Sequence, residues 1–160
     1  MRLRLQRLGC ALVLFVGAGA GSIAGEPQSV TEAFVTNQTD DSLSIVRLAD
    51  LKVAETLKIG GKPAGIAMSA DGKQLYVTTG RSKVVLIVDT ASNRVVGSIE
   101  VGPRPWGVAL APDGATLYTA NGPSNDVSVV DIGTRQVTKK IPVGQGPWGI
   151  AVVKRPPAAR

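Results

Sequence analysis

The sequence contains no histidine, and this absence excludes much of the chemistry that a protein of 160 residues could carry. It removes the Ser-His-Asp arrangement, the usual general base, and most zinc and copper sites. The single cysteine, Cys10, rules out a Cys-x-x-Cys-His haem attachment site and an internal disulfide. We therefore predict no catalytic residue, no metal site and no cofactor, and we favour a protein that is not an enzyme.

Aromatic residues are also scarce, at 4%, while the chain has 19 glycines and 10 prolines. This mixture suits short strands joined by many turns and is poor for a helical bundle. No window shows helical spacing of apolar residues over a useful length. The composition predicts an all-β fold.

The first 24 residues have the three-part layout of a secretory signal peptide. A cationic start is followed by an apolar run, Leu8 to Ala20, and then by small residues that favour cleavage between Ala24 and Gly25. An uncleaved membrane anchor is the alternative, because the apolar stretch could almost cross a bilayer. Cleavage predicts a periplasmic or secreted protein with no membrane span in its mature form.

Cleavage would also change the charge of the chain. The leader contains three arginines and no acid, so its loss lowers the formal net charge from +6 to +3. The remaining basic residues are scattered, whereas nucleic-acid binding needs a clustered basic face. We therefore expect no nucleic-acid partner, and because Cys10 is lost with the leader, stability must come from packing.

Glycines, prolines and aromatic residues recur with a period of 42 residues. The clearest series are Gly60, Gly102, Gly144; Pro63, Pro105, Pro147; and Phe34, Tyr76, Tyr118. A fixed period of about 40 residues with several strands per unit is typical of β-propeller blades. We predict a linker over residues 25–32, a propeller domain over 33–153 and a disordered tail over 154–160.

Each repeat is predicted to form four strands. In the clearest copy the first two strands, 65–68 and 74–79, are joined at Asp71-Gly72, where glycine accepts a positive φ. The third strand, 84–88, is apolar at every residue, which predicts that both of its faces are covered. The fourth strand covers 94–101.

The number of repeats is small for a closed propeller. The chain has enough strands for three blades. One further strand is expected at Gly149–Val153, equivalent to the first strand of a repeat, and we call strands at this position first-type strands. Propellers typically have four to eight blades. The fold is therefore predicted to be a partial propeller, or half of a six-bladed homodimer in which this strand completes the first blade of the other chain.

Three short motifs resemble the Tyr-Val-Thr-Asn signature of the YVTN β-propeller repeats. They are Phe34-Val-Thr-Asn37, Tyr76-Val-Thr-Thr79 and Tyr118-Thr-Ala-Asn121. The last blade is similar to that of a secreted branch associated with pyrroloquinoline-quinone-dependent alcohol catabolism. The resemblance implies a propeller and brings no catalytic residues. It also allows the chain to be a shortened copy of a longer propeller.

The best candidate binding residues are Trp106 and Trp148, which occupy equivalent Pro-Trp-Gly positions before first-type strands. Indoles there could hold an apolar or planar ligand or a partner's chain, and packing between blades is the competing interpretation. Arg104 and Gln145 flank them and could add polar contacts. The first blade has Ala64 at this position.

The repeated acids have a structural interpretation. Asp71, Asp113, Asp89 and Asp131 lie at turns, where carboxylates accept backbone N–H groups. The loops at Asp40-Asp41 and Asn125-Asp126 could bind a cation weakly, although solvated loops are favoured.

Two functions remain. One is a non-catalytic binding or scaffold protein of the cell envelope, which could serve a quinone- or cytochrome-linked dehydrogenase. The other is an enzyme or electron-transfer subunit with a non-covalently bound cofactor.

The first prediction concerns export. Protein recovered from the periplasm or medium should begin near Gly25 when its intact mass is measured, because cleavage follows Ala24. Full-length protein retained in the inner membrane would contradict cleavage and favour the anchor.

Overall fold

A computed structural model describes residues 31–156, in which eleven strands and no helix are found. The predicted leader, most of the predicted linker and residues 157–160 lie outside the described range. Within that range no helix is long and apolar enough to cross a membrane. The strands are β1 (Glu32–Asn37), β2 (Ser42–Arg47), β3 (Lys52–Lys58), β4 (Pro63–Met68), β5 (Gln74–Thr79), β6 (Val84–Asp89), β7 (Arg94–Glu100), β8 (Pro105–Leu110), β9 (Thr116–Asn121), β10 (Asp126–Asp131) and β11 (Gln136–Pro142).

The strands form three antiparallel sheets in which consecutive strands pair. Blade 1 contains β1, β2 and β3, blade 2 contains β4 to β7, and blade 3 contains β8 to β11. A register shift recurs between the last two strands of each blade, at Ile45/Val46, Ile87/Val88 and Val129/Val130. The 42-residue repeat is therefore a repeat of structure, and the prediction of an all-β fold of propeller blades is confirmed.

Both ends of the propeller domain differ from a complete blade. Gly149–Val153, where a further strand is expected, forms no ladder with any strand of the described residues. The physical reason is that a strand needs a neighbour for its backbone groups, and blade 3 already has four strands. Blade 1 accordingly has three strands, and β1 begins at Glu32, one residue before the predicted domain start.

The third strand of blade 2 shows why its sequence is apolar throughout. Side chains on one face of β6, Val85 and Ile87, enter the apolar cluster shared with blade 3. Leu86 and Val88, on the other face, pack in the cluster shared with blade 1. The prediction that both faces are covered is confirmed, because the strand lies in the middle of a stack of three sheets.

The hydrophobic core is thus divided into two layers between the blades. The layer between blades 1 and 2 is built on Leu43, Leu75, Val77 and Val88. The layer between blades 2 and 3 is larger and contains Tyr76, Val85, Ile87, Ile99, Val101, Val108, Leu117 and Val130. Neither layer belongs to one blade, so blades stabilise one another.

The second prediction tests this division. Ile99→Ala should lower the free energy of unfolding by about 2–5 kcal/mol, because Ile99 is 1% exposed between blades 2 and 3. Val96→Ala on the same strand should change it by less than about 0.5 kcal/mol, because Val96 is 51% exposed. Urea titrations of both variants measure the difference. Equal losses would contradict a core placed between the blades.

Candidate functional site

The structure brings Trp106 and Trp148 together. Their ring centroids lie 4.3 Å apart and their planes are tilted by 34°. Trp106 is half-buried, whereas 62% of Trp148 is exposed. The two indoles form one apolar surface that starts in the protein and ends in solvent, and we call them the indole pair.

Trp106 is held in place by the backbone around it. The Thr78 hydroxyl donates to the Trp106 carbonyl oxygen at 3.0 Å. A side-chain carbon at Gly122 would overlap the Trp106 ring, so glycine is needed there for the indole to lie against the chain. Trp106 therefore packs against the chain, and this packing presents the outer indole, Trp148, to solvent.

Arg104 and Gln145 lie in different surroundings. Arg104 is exposed and adopts a φ of +46°, and its N–H donates to the Ser82 carbonyl at 2.9 Å. Gln145 is also exposed, but it lines an open groove of about 450 Å³ at the end of blade 3. Val143 and Ile150 line the same groove. Gln145 thus lies in the loop before Trp148, at the uncovered end of the row of three blades, whereas Arg104 lies in the equivalent loop before Trp106.

The loops around Arg104 give the neighbourhood of the indole pair a positive charge. Arg81 is exposed in the adjacent loop, and its N–H donates to the Gly61 carbonyl at 3.1 Å. Lys83 is exposed two residues later. Among residues 31–156, neither Arg81, Lys83 nor Arg104 has a carboxylate within ion-pair distance. Three free cationic side chains therefore lie in hydrogen-bonded loops on the indole side of blade 2.

The repeated aspartates stabilise turns at the opposite ends of the strands. Asp71 accepts from the Ser69 hydroxyl at 2.7 Å and from the Lys73 N–H at 3.1 Å, which lowers its pKa. The same effect is found at Asp89, whose pKa is lowered by hydrogen bonds from Ser92. A lowered pKa keeps a carboxylate ionised, which suits an acceptor in a turn and not a general acid.

The other two aspartates follow the same pattern. Asp131 accepts from the Thr134 N–H at 2.7 Å and from its hydroxyl at 2.8 Å, and these bonds lower the Asp131 pKa. Asp113 accepts from the Ala115 N–H at 2.8 Å. All four repeated acids therefore have the turn-stabilising contacts that the sequence predicts.

The two loops considered for a cation use their oxygens to position other loops. Asp41 Oδ1 accepts from the Lys62 N–H at 2.7 Å, and Asn125 Oδ1 accepts from the Gly146 N–H at 2.8 Å. Residues 62 and 146 occupy equivalent places in the repeat, and both have a positive φ. The oxygens therefore fix the Gly-x-x-Pro loops that precede first-type strands.

A buried polar network at Asn121 was not predicted from the sequence. Its Nδ2 donates to Asp126 Oδ1 at 2.6 Å and to Ser128 Oγ at 2.8 Å, while its Oδ1 accepts from the Thr119 hydroxyl at 3.0 Å. Asn121 is completely buried. The recurrence of the motif that ends in Asn37, Thr79 and Asn121 is the signal that could have identified it.

The architecture and the site define a β-propeller-type repeat protein with an exposed aromatic surface. A sequence profile described as YNCE-like beta-propeller matches residues 10–116. The chain belongs to this YNCE-like β-propeller family. A comparison with curated proteins finds no match.

Two solved structures show the same fold. The chain is 30% identical to Kuenenia stuttgartiensis hydrazine synthase, with a TM-score of 0.69, over 74% of this chain and 34% of that chain. It is 22% identical to U3-55K, with a TM-score of 0.60, over 72% of this chain and 37% of that chain. This chain therefore spans about a third of the length of each.

The third prediction tests how the indole pair is supported. Gly122→Ala should lower the free energy of unfolding by about 1–3 kcal/mol, because the added carbon overlaps the Trp106 ring. It should also weaken the circular dichroism couplet of the stacked indoles, since Trp106 must move. Gly133→Ala is the control, because its added carbon makes only an ordinary contact with Asp131. An unchanged couplet in Gly122→Ala would contradict the described packing.

Proposed function

We propose that the protein is a non-catalytic binding module of the cell envelope, and that the indole pair is the surface on which it holds a partner. The observation that carries the proposal is Trp148, which is 62% exposed while it stacks on a supported Trp106. A large exposed aromatic side chain on a rigid base binds at little cost in conformational entropy. Trp and Arg are also the residues most enriched at binding hot spots.

The surroundings of the indole pair indicate the chemistry of the partner. Arg81, Lys83 and Arg104 contribute positive charge, and none of the three has a carboxylate of the described residues within 4.0 Å. Planar or apolar groups suit the indoles, and carboxylates suit the guanidinium groups. We propose that the bound surface combines an apolar or planar group with acidic groups beside it.

The similarity to hydrazine synthase supports a role beside an enzyme. A similar propeller occurs in hydrazine synthase, with 34% of that chain covered. The resemblance to a secreted YVTN branch adds the expectation of quinone-linked alcohol catabolism. We therefore propose that the protein is exported and is accessory to a quinone- or cytochrome-linked dehydrogenase.

The second candidate is an enzyme or electron-transfer subunit that holds a cofactor without a covalent bond. It is favoured by the same neighbour, because hydrazine synthase is an enzyme. The absorption spectrum of protein purified from its native host separates the two candidates. A stoichiometric visible chromophore would favour the cofactor-bearing subunit, and its absence would favour the binding module.

The fourth prediction tests the indole pair as the binding surface. Trp148→Ala should lose partners that the wild type captures from an envelope extract, because it removes the exposed indole and leaves Trp106 packed. Leu51→Ala is the matched control, since Leu51 is 78% exposed in the loop between β2 and β3. Quantitative mass spectrometry of the captured proteins measures the difference. Capture that is the same for wild type, Trp148→Ala and Leu51→Ala would contradict the proposal.

A further inference from the structure

The free face of blade 3 has the residues of a face that is buried elsewhere in the chain. Ile99 and Val101 of blade 2 are 1% and 7% exposed because blade 3 covers them. Their equivalents 42 residues later, Ile141 and Val143, are 39% and 42% exposed. The apolar side chains that receive the next blade are thus repeated on blade 3, where the described residues provide no blade to cover them.

The free face of blade 1 shows the complementary pattern. Val77 is fully buried where blade 2 packs on blade 1, whereas its equivalent in blade 1, Val35, is 45% exposed. The inner edge of β1 is also open, because β1 pairs with β2 alone while β5 and β9 have a strand on each side. An unpaired edge beside an apolar face is a surface for another strand.

The backbone at the inner ends of the blades shows which strand is missing. The Thr78 hydroxyl donates to the Trp106 carbonyl and accepts the Gly65 N–H at 2.7 Å. Its equivalent in blade 1, Thr36, donates to the Ala64 carbonyl at 2.7 Å. The N–H that completes the pair in blade 1 would come from the residue equivalent to Gly65 in a first-type strand.

At the blade 3 end, Gly144 and Gly149 have the glycine that a close contact with a neighbouring blade requires, but no neighbour lies against them. A side-chain carbon at Gly102 would overlap the Asn121 side chain of the next blade, and one at Gly107 would overlap the backbone at Trp148. The equivalent glycines, Gly144 and Gly149, have nothing within 4 Å of an added carbon. Residues 149–153 have the sequence of a first-type strand, and in this chain they pair with nothing.

We propose that a second copy of this chain closes the arc, head to tail, and that Gly149–Val153 of each copy pairs with β1 of the other. The free face of blade 3 then packs on blade 1 of the second copy, as blade 2 packs on blade 3 within the chain. Two chains give six blades, within the usual range, and the ring has twofold symmetry. This inference does not depend on the proposed binding function.

The repeat fixes the register of the exchanged strand. In blade 2, Ile66 lies opposite Val77, and in blade 3, Val108 lies opposite Thr119. Moving each pair by the 42-residue period gives the same result, which is Ile150 opposite Val35. The strand pairing in blade 2 and the pairing in blade 3 therefore predict the same alignment of the exchanged strand with β1 of the second copy.

The second copy also changes the surroundings of the indole pair. Gly122 lies against Trp106, and the residue of blade 1 equivalent to Gly122 is Gln38. In the ring, Gln38 of the second copy therefore lies beside Trp148, and because Gln38 has the side-chain carbon that Gly122 lacks, the Trp148 ring must lie differently from the Trp106 ring. Because Trp106 and Trp148 are the only tryptophans, the emission of the protein should shift when the copies separate on dilution.

The fifth prediction is a dimer that two glycine substitutions dissociate. Light scattering of the purified wild type at micromolar concentration should give twice the mass of one chain. Gly144→Ala and Gly149→Val should give monomers with an unchanged β-sheet circular dichroism spectrum, because a β-carbon at either position meets no atom within 4 Å in the single chain. Gly133→Ala should remain a dimer. A monomeric wild type, or dimers of unchanged affinity in both variants, would overturn the proposal.

A cysteine pair tests the register independently of those variants. In a Cys10→Ser background, Val35→Cys and Ile150→Cys proteins are mixed and oxidised, and a covalent dimer should form because directly opposite residues are within disulfide reach. Val35→Cys mixed with Val152→Cys is the control, two residues out of register. No covalent dimer in the first mixture, or equal yields in both, would overturn the exchanged strand.

Discussion

Each blade depends on apolar side chains that leave both faces of its middle strands and pack into the neighbouring blades. β6 shows this constraint most clearly, because Val85 and Val88 are both fully buried but belong to different layers. A sheet of this kind loses the burial of half of its apolar side chains when one face is in water. The chain has one cysteine, so no internal disulfide can replace the packing. The stability of every blade is therefore tied to the presence of the next.

The inner ends of the blades add a second, polar connection. Hydroxyl groups of Thr36 and Thr78 reach carbonyl groups of the following first-type strands, and glycines at 65 and 107 let those strands approach closely. These contacts set the spacing of the strands around the axis. The positions of Trp106 and Trp148 follow from that spacing, so the candidate site is a consequence of how blades join.

The repeat allowed most of the fold to be predicted from sequence. Residues at a spacing of 42 gave the strands of blades 2 and 3, and the apolar run at 84–88 gave the coverage of both faces. The sequence could also place Trp106 and Trp148 in equivalent loops. It could not show that the indoles stack, because that depends on Gly122 leaving room for one ring. Nor could it show that Arg104 and Gln145, which lie in equivalent loops of successive repeats, have different surroundings.

The outcome at Gly149–Val153 illustrates a different limit. The residues carry the pattern of a strand, but pattern alone does not provide a neighbour for their backbone groups. Pairing is a property of two strands, and in the described residues the second one is absent from this end.

Amide hydrogen exchange at β1 tests most directly whether the open ends are covered by a second copy. If a second copy covers them, the β1 amides that point away from β2 are as protected as the β9 amides that face β8. This protection is then lost on dilution and in Gly149→Val. Rapid exchange of these amides at every concentration, while β9 remains protected, would contradict it.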